Sequence, residues 1–302
     1  MHKSKINMLK STNPLVSIII ITYNSSQYVL ETLESAKKQT YENIELIISD
    51  DCSTDNSVTI CKKWIEVNKN RFVNSLVIET EKNTGTPKNC NRGVFNAKGE
   101  YIKLIAGDDI LLANCIKDNL EFIKGKSTQF LFSDMIFFNH TGVLSNYGNK
   151  KLVYFFSNKK KSDKLRSYLR TSLFLNSPTY FYSKELFEKI GGYDESFQVL
   201  EDNPFIARTL SAGCDIKFLS KPTVKYRIHN SSVTGSGNNR ILNDLWKFHL
   251  KYVLPELSQG SINDKLFLRK AEFENWVKKN GYGRSFLFRT YRRLTNWVNY
   301  YS

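Results

Sequence analysis

Val16-Ser-Ile-Ile-Ile-Ile-Thr22 is the stretch that decides the fold class. Apart from Ser17 it is β-branched throughout, which suits a strand buried on both faces of a parallel sheet. Asn24-Ser-Ser26 follows as turn and cap, and Tyr28, Val29, Leu33 and Ala36 then recur at helical spacing. Ile44-Glu-Leu-Ile-Ile-Ser49 predicts a second buried strand, ending in Asp50-Asp51-Cys-Ser-Thr-Asp55 and a helix with Cys61, Trp64 and Ile65 on one face. Leu76-Val-Ile-Glu79 reads as a third strand. Thr86-Pro87 opens a helix with a cap and a proline at its first position, and Gly99 stops it. Tyr101 to Ala106 is the fourth strand, followed at once by Gly107-Asp108-Asp109. Such alternation predicts a mostly parallel α/β sheet with right-handed crossovers and flanking helices.

Further on, a helix is expected from Leu112 to about Lys124 and a strand over Phe130-Leu-Phe-Ser-Asp134. Residues 146–164 are basic and irregular, read as a solvated loop with a mobile lid as the alternative. Ser183 caps a helix ending at Gly191-Gly192, and Glu201-Asp202 opens another that Gly213 closes. Two strands follow, Ile216 to Leu219 and Val224 to His229. Beyond Asn238, Leu242, Leu245, Trp246, His249 and Val253 fall at helical spacing, and from Lys265 onward aromatic residues interleave with Lys and Arg. The expected organisation is a flexible N-terminus over 1–13, an α/β domain over 14–237 and a helical, basic extension over 238–302.

The chain has 302 residues, 41% of them hydrophobic and 13% aromatic, which argues against disorder. Its formal charge of +15 admits nucleic acid or anionic lipid as partners, so the position of the charge matters more than its total. Val16 to Ile21 is the longest apolar stretch, far short of the ~18 residues that span a bilayer. Residues 1–7 contain no apolar core of a signal peptide. Five cysteines without a Cys-x-x-Cys pair suggest a reducing compartment and no zinc site, hence a cytoplasmic protein.

Two acidic pairs, Asp50/Asp51 and Asp108/Asp109, follow two of the predicted parallel strands and so should share the sheet edge where ligands bind in open α/β sheets. Neighbouring carboxylates repel unless a cation sits between them, and a divalent ion carrying phosphates is the usual one. Such an ion also neutralises a diphosphate leaving group as its bond breaks. In Thr22-Tyr23-Asn24, the tyrosine can offer its face to a planar base, and Asp51 can accept from an imide N–H such as that of uracil; a packed core aromatic is the plainer reading of Tyr23. Glu201-Asp202 either caps a helix, worth ~1 kcal/mol, or takes a proton from an attacking hydroxyl. His229 ends the last predicted strand as a structural hydrogen-bonder or a contact to metal or phosphate.

In this order, the segments Val16–Asn24, Glu45–Ser57, Asn83-Thr-Gly85, Asn91–Ile102, Gly107-Asp-Asp109, Gly191–Glu195, Glu201-Asp202 and Tyr226-Arg-Ile-His229 resemble the inverting family-2 glycosyltransferases with the GT-A fold. The resemblance covers roughly residues 14–235. It implies a UDP-sugar donor and a Mn²⁺ or Mg²⁺ ion. Tyr23 and Asp51 would hold the uracil, with Thr22, Asn24, Asn83, Gly85, Asn91 and Glu201 also in the donor site. Asp108 would face the ribose or sugar, Asp109 would ligate the metal, His229 would contact metal or diphosphate, and Asp202 would be the base of a single displacement. The acceptor would be a glycan hydroxyl, lipid-linked and part of a surface polysaccharide.

Cys52 stands where the family commonly has glycine, which leaves the turn geometry there open. No Gln-x-x-Arg-Trp motif follows Asp202 and no transmembrane helix is expected after the domain, so single-sugar transfer is expected rather than processive synthesis. A sugar-nucleotide pyrophosphorylase would need a Gly-rich, basic phosphate loop after the first strand, which Asn24-Ser-Ser-Gln27 lacks. A non-catalytic nucleotide-sugar binder is the other alternative. For the basic C-terminal stretch, packing on the domain competes with attachment to an anionic membrane; no nucleic-acid motif is present.

Overall fold

The computed structural model describes residues 13–147, 161–170, 177–229 and 239–280. β1 (Val16–Thr22), β2 (Ile44–Asp50), β3 (Asn74–Ile78) and β4 (Tyr101–Ala106) form a parallel set in the order β3-β2-β1-β4. Ile18 and Ile20 of β1 enter one core cluster and Ile19 the opposite one, so both faces of the strand are buried. That is what its unbroken apolar run required. α1 (Val29–Lys37), α2 (Ser57–Asn68) and α3 (Thr86–Phe95) make the crossovers.

The sheet continues past β4 with mixed direction. β5 (Ile110–Leu111) precedes α4 (Cys115–Ile123); β6 (Phe130–Asn139) and β7 (Gly142–Tyr147) form a hairpin; β8 (Phe181–Ser183) is antiparallel to both β4 and β6. β9 (Ile216–Arg227) is one twelve-residue strand parallel to β6, where two strands were expected. Its register shifts opposite Asp134, which pairs with Pro222, so a bulge carries the chain past the proline that breaks the sequence pattern.

α5 (Lys161–Arg170) begins inside the run expected to be irregular; residues 148–160 of that run lie outside the described residues. α6 (Lys184–Ile190) has the expected cap, Ser183 Oγ accepting from Leu186 N at 3.2 Å, and α7 (Asp202–Ser211) begins where Glu201-Asp202 predicted. α8 (Asn239–Phe248) runs through a π-helical turn at His249–Val253 into α9 (Leu254–Ser258), and α10 (Ile262–Lys279) follows. Phe248, Val253, Leu257 and Leu268 are buried in the same cluster as Ile19, Phe130 and Phe205. This part of the expected extension is therefore packed into the core, while the basic-aromatic residues 281–302 lie outside the described residues. Among the described residues no helix is long and apolar enough to cross a membrane.

Candidate active site

In the order β3-β2-β1-β4 the winding reverses between β1 and β4, and in open α/β sheets the carboxyl ends of the strands at such a switch point are where ligands bind. Gly107 lets the two ends approach: its N–H donates to Ile21 O at 2.9 Å, and a Cβ there would lie 2.8 Å from Thr22 Cγ2. Asp108 and Asp109 follow directly and diverge. Asp109 is 1% exposed; its Oδ1 accepts from Arg227 N at 2.9 Å, and its Oδ2 is buried with no hydrogen-bond partner. Burial, and then the Asp108 charge, push its carboxyl well above the usual range. Asp108 is the less buried of the two, with Oδ2 3.0 Å from His229 Nε2. Asp109, expected to ligate the metal, is buried with only one oxygen bonded, while His229, expected to contact metal or diphosphate, lies against Asp108.

Arg227 builds that wall. It donates from its backbone to Asp109, from Nε to Asp108 O at 2.8 Å and from Nη2 to Glu31 Oε2 at 2.9 Å. Its guanidinium lies over the rings of Tyr28 and Phe138, and Tyr28 also packs on His229 at 4.9 Å. Sequence reading placed Arg227 inside a motif without giving it a task. Its partners, 119 and 196 residues away in sequence, left no local signal.

The other acidic pair is also divided up by the fold. Asp50 Oδ2 accepts from Thr22 Oγ1 at 2.7 Å and Ser53 Oγ at 2.6 Å, so Thr22 is a buried staple with its hydroxyl already in use. Asp51 receives Thr84 N, Thr84 Oγ1, Gly85 N and Arg92 Nη2, at 2.6 to 3.2 Å. A carboxylate offers about four acceptor sites, so an imide N–H could bond Asp51 only by displacing one of these donors. Burial works against ionisation of Asp55, yet hydrogen bonds from Ser57 and Ser26 hold it down to about 2. Asn24 adopts φ 50° and accepts from Thr54 N at 2.8 Å, a turn that asparagine tolerates. Tyr23 is 51% exposed, which suits an open face better than a packed core ring.

Asn83 Oδ1 accepts from Gly85 N at 3.1 Å. Gly85 needs to be glycine twice over, with φ 92° and a virtual Cβ only 2.6 Å from Gln198 O. Asn91, expected in the donor site, is 4% exposed and fully occupied by Tyr193 and Glu195, so it clamps α3 to the Gly191–Glu195 turn. At the start of α7 the capping explanation is weakened, because Glu201 makes no side-chain cap bond; Asp202 Oδ1 accepts from its neighbour Asn203 N at 2.7 Å. Burial raises both carboxyls, Asp202 to about 6 and Glu201 further because Asp202 is beside it. Tyr180 presents a buried hydroxyl without a hydrogen-bond partner in this region, and its ionisation is opposed first by burial and then by the Asp202 charge.

A parallel sheet with a β1/β4 switch point, a partly buried carboxylate–histidine pair beside it and a carboxylate at the start of a following helix is the arrangement of a GT-A type glycosyltransferase fold. Residues 17–191, more than half of the chain, match Glycosyl transferase family 2, and the protein belongs to that family. An uncharacterized glycosyltransferase of Rickettsia typhi is 27% identical over 91% of this chain and 83% of its own length. The Escherichia coli UDP-Glc:alpha-D-GlcNAc-diphosphoundecaprenol beta-1,3-glucosyltransferase WfaP is 35% identical over 44% of this chain and 54% of its own. The fold is shared with Staphylococcus aureus TarS 1-349 in complex with UDP-GlcNAc (TM-score 0.62, 21% identity, 87% of this chain and 73% of that one). It is shared too with the Pyrobaculum calidifontis mannosyltransferase PcManGT in complex with GDP-Man and Mn²⁺ (TM-score 0.60, 13% identity, 95% and 86%).

Proposed function

We propose that this glycosyltransferase moves a sugar from a UDP-sugar to a glycan hydroxyl by a single inverting displacement, with Asp202 as base. The observation that carries the reading is the division of labour among carboxylates. Asp50 and Asp51 are held by internal donors and Asp109 is buried with one oxygen on Arg227 N, whereas Asp108 is the less buried neighbour, paired with His229, and Asp202 is raised to about 6 on a separate helix. A base of that strength is ionised at neutral pH yet still accepts a proton. Asp202 would take the acceptor hydroxyl's proton as the oxygen bonds to the anomeric carbon and the sugar–diphosphate bond breaks on the opposite face, which inverts the configuration.

Among the described residues no group of three or more His, Cys, Asp or Glu could hold a metal by itself. Asp108 and His229 fit a Mn²⁺ or Mg²⁺ ion that takes its remaining ligands from diphosphate and water, the usual arrangement for nucleotide sites. When bound, the ion would offset the negative charge that develops on the leaving diphosphate. We assign Tyr23 to base stacking, and Asp51 to holding the residue 83–85 loop beside it. WfaP, by its name, acts on a diphosphoundecaprenol-linked sugar, which supports a lipid-linked acceptor in surface-polysaccharide synthesis. The test is a screen of UDP-hexoses and UDP-N-acetylhexosamines with Mn²⁺, read as released UDP. Turnover of one donor that is lost in Asp108→Ala supports the assignment, and no binding or turnover of any nucleotide-sugar overturns it.

A further inference from the structure

We propose that Asp244 is a positioning residue for Asp202, so that α8, beyond the family-matched region, is part of the catalytic apparatus. Three consecutive backbone N–H groups, those of Gln198, Val199 and Leu200, converge on Asp244 Oδ2 at 2.8, 2.8 and 3.2 Å. Asp244 is 5% exposed and lies on the buried face of α8, one turn before the core residue Phe248, while Leu242 and Leu245 stay exposed. A buried carboxylate needs such donors, and charge-assisted bonds to backbone N–H groups are about twice as strong as neutral ones. The segment they fix leads directly into Glu201-Asp202.

Its other side is tied to the donor edge. Gln198 O accepts from Thr86 N at 2.9 Å and rests against Gly85, which Asp51 holds in turn. Upstream, Asp194 receives Lys251 Nζ and Tyr252 Oη, each at 2.6 Å, and Lys247 donates to Ser196 O. The segment from 194 to 200 is therefore gripped from the α8–α9 side along its length. The groups facing Glu201 and Asp202 from the packed elements are Tyr168 of α5, Tyr180 before β8, Cys90 of α3 and Tyr193. Their electrostatic influence on the two carboxylates depends on where the segment is held.

This inference rests on Asp202 as base, and its test keeps the two apart. Kinetics of Asp244→Asn are compared with Asp202→Asn and with Glu256→Gln, which breaks the Arg166–Glu256 pair on α9 without touching the segment. Asp244→Asn is expected to lower kcat by about 10²-fold, the scale of a small misplacement. Its UDP affinity, read by calorimetry, should stay within about twofold of the parent if positioning alone is lost. The midpoint of its kcat/KM profile should move to lower pH as water reaches Asp202, and Glu256→Gln should match the parent. Parent-like kcat and pH midpoint in Asp244→Asn, with Asp202→Asn inactive, overturn the inference alone; an active Asp202→Asn overturns the base. Hydrogen exchange on the unmutated protein adds a measurement independent of variant folding. Slow exchange at Gln198, Val199 and Leu200 is expected, and exchange at open-loop rates contradicts the proposal.

Discussion

Cys52 holds its backbone at φ 68°, a left-handed conformation that costs a residue with a Cβ roughly 1–2 kcal/mol. It sits on the tight turn between Asp51 and Ser53, whose neighbours Asp50 and Asp51 are locked by hydrogen bonds, so the turn cannot relax. Cys52→Gly is expected to stabilise the protein by about 1 kcal/mol or less, because glycine's greater freedom in the unfolded chain offsets part of the gain. Thermal unfolding checks this, and a lower Tm would contradict it. Arg227 is the other residue whose effect should exceed its apparent role. Arg227→Met removes the donors to Asp108 O and Glu31, and if Asp108 and His229 hold the proposed ion, loss of such outer-shell support should weaken metal affinity by about 10–100-fold. A Mn²⁺ titration of UDP release reads that shift directly; an unchanged half-saturation point would assign Arg227 to the fold alone.

At the scale of elements, the start of α7 sets the pH response. As the proposed base, Asp202 would have to be ionised to accept a proton, so kcat/KM should fall as pH drops through about 6. Stability runs the other way. Asp202 is raised above the ordinary carboxylate value, so the folded protein binds the proton more tightly, and stability is lost as pH rises from about 4 through about 6. Asp202→Asn should accordingly be more stable than the parent at neutral pH; denaturant midpoints at pH 5 and 7 test the sign. The elements themselves were legible where local chemistry punctuates them. β1, β2 and β4 are apolar runs, α3 begins on Thr86-Pro87, and α6 is capped by Ser183. β9 was not, because its continuity across Pro222 depends on a bulge against Asp134. The inward carboxylate of α8 was equally hidden, since its partners are 44 to 46 residues away.

For the molecule as a whole, the sequence identified which acids reach the sheet edge, but could not say which would remain available. Neighbouring carboxylates call for a positive partner between them. The fold answers most of that charge with its own N–H and O–H groups, brought in from Ser53, Thr84, Arg92 and Arg227, and only Asp108 faces His229. Helices after residue 238 belong to the same core as the sheet, so the catalytic carboxylate assigned to α7 is supported from both sides. The most direct test of that assignment compares transfer and nucleotide affinity in one variant. Asp202→Asn should lose at least about 10²-fold in kcat with UDP binding largely intact, the scale of lost general-base assistance. Parent-like transfer by Asp202→Asn would contradict the account, as would loss of UDP binding in step with activity.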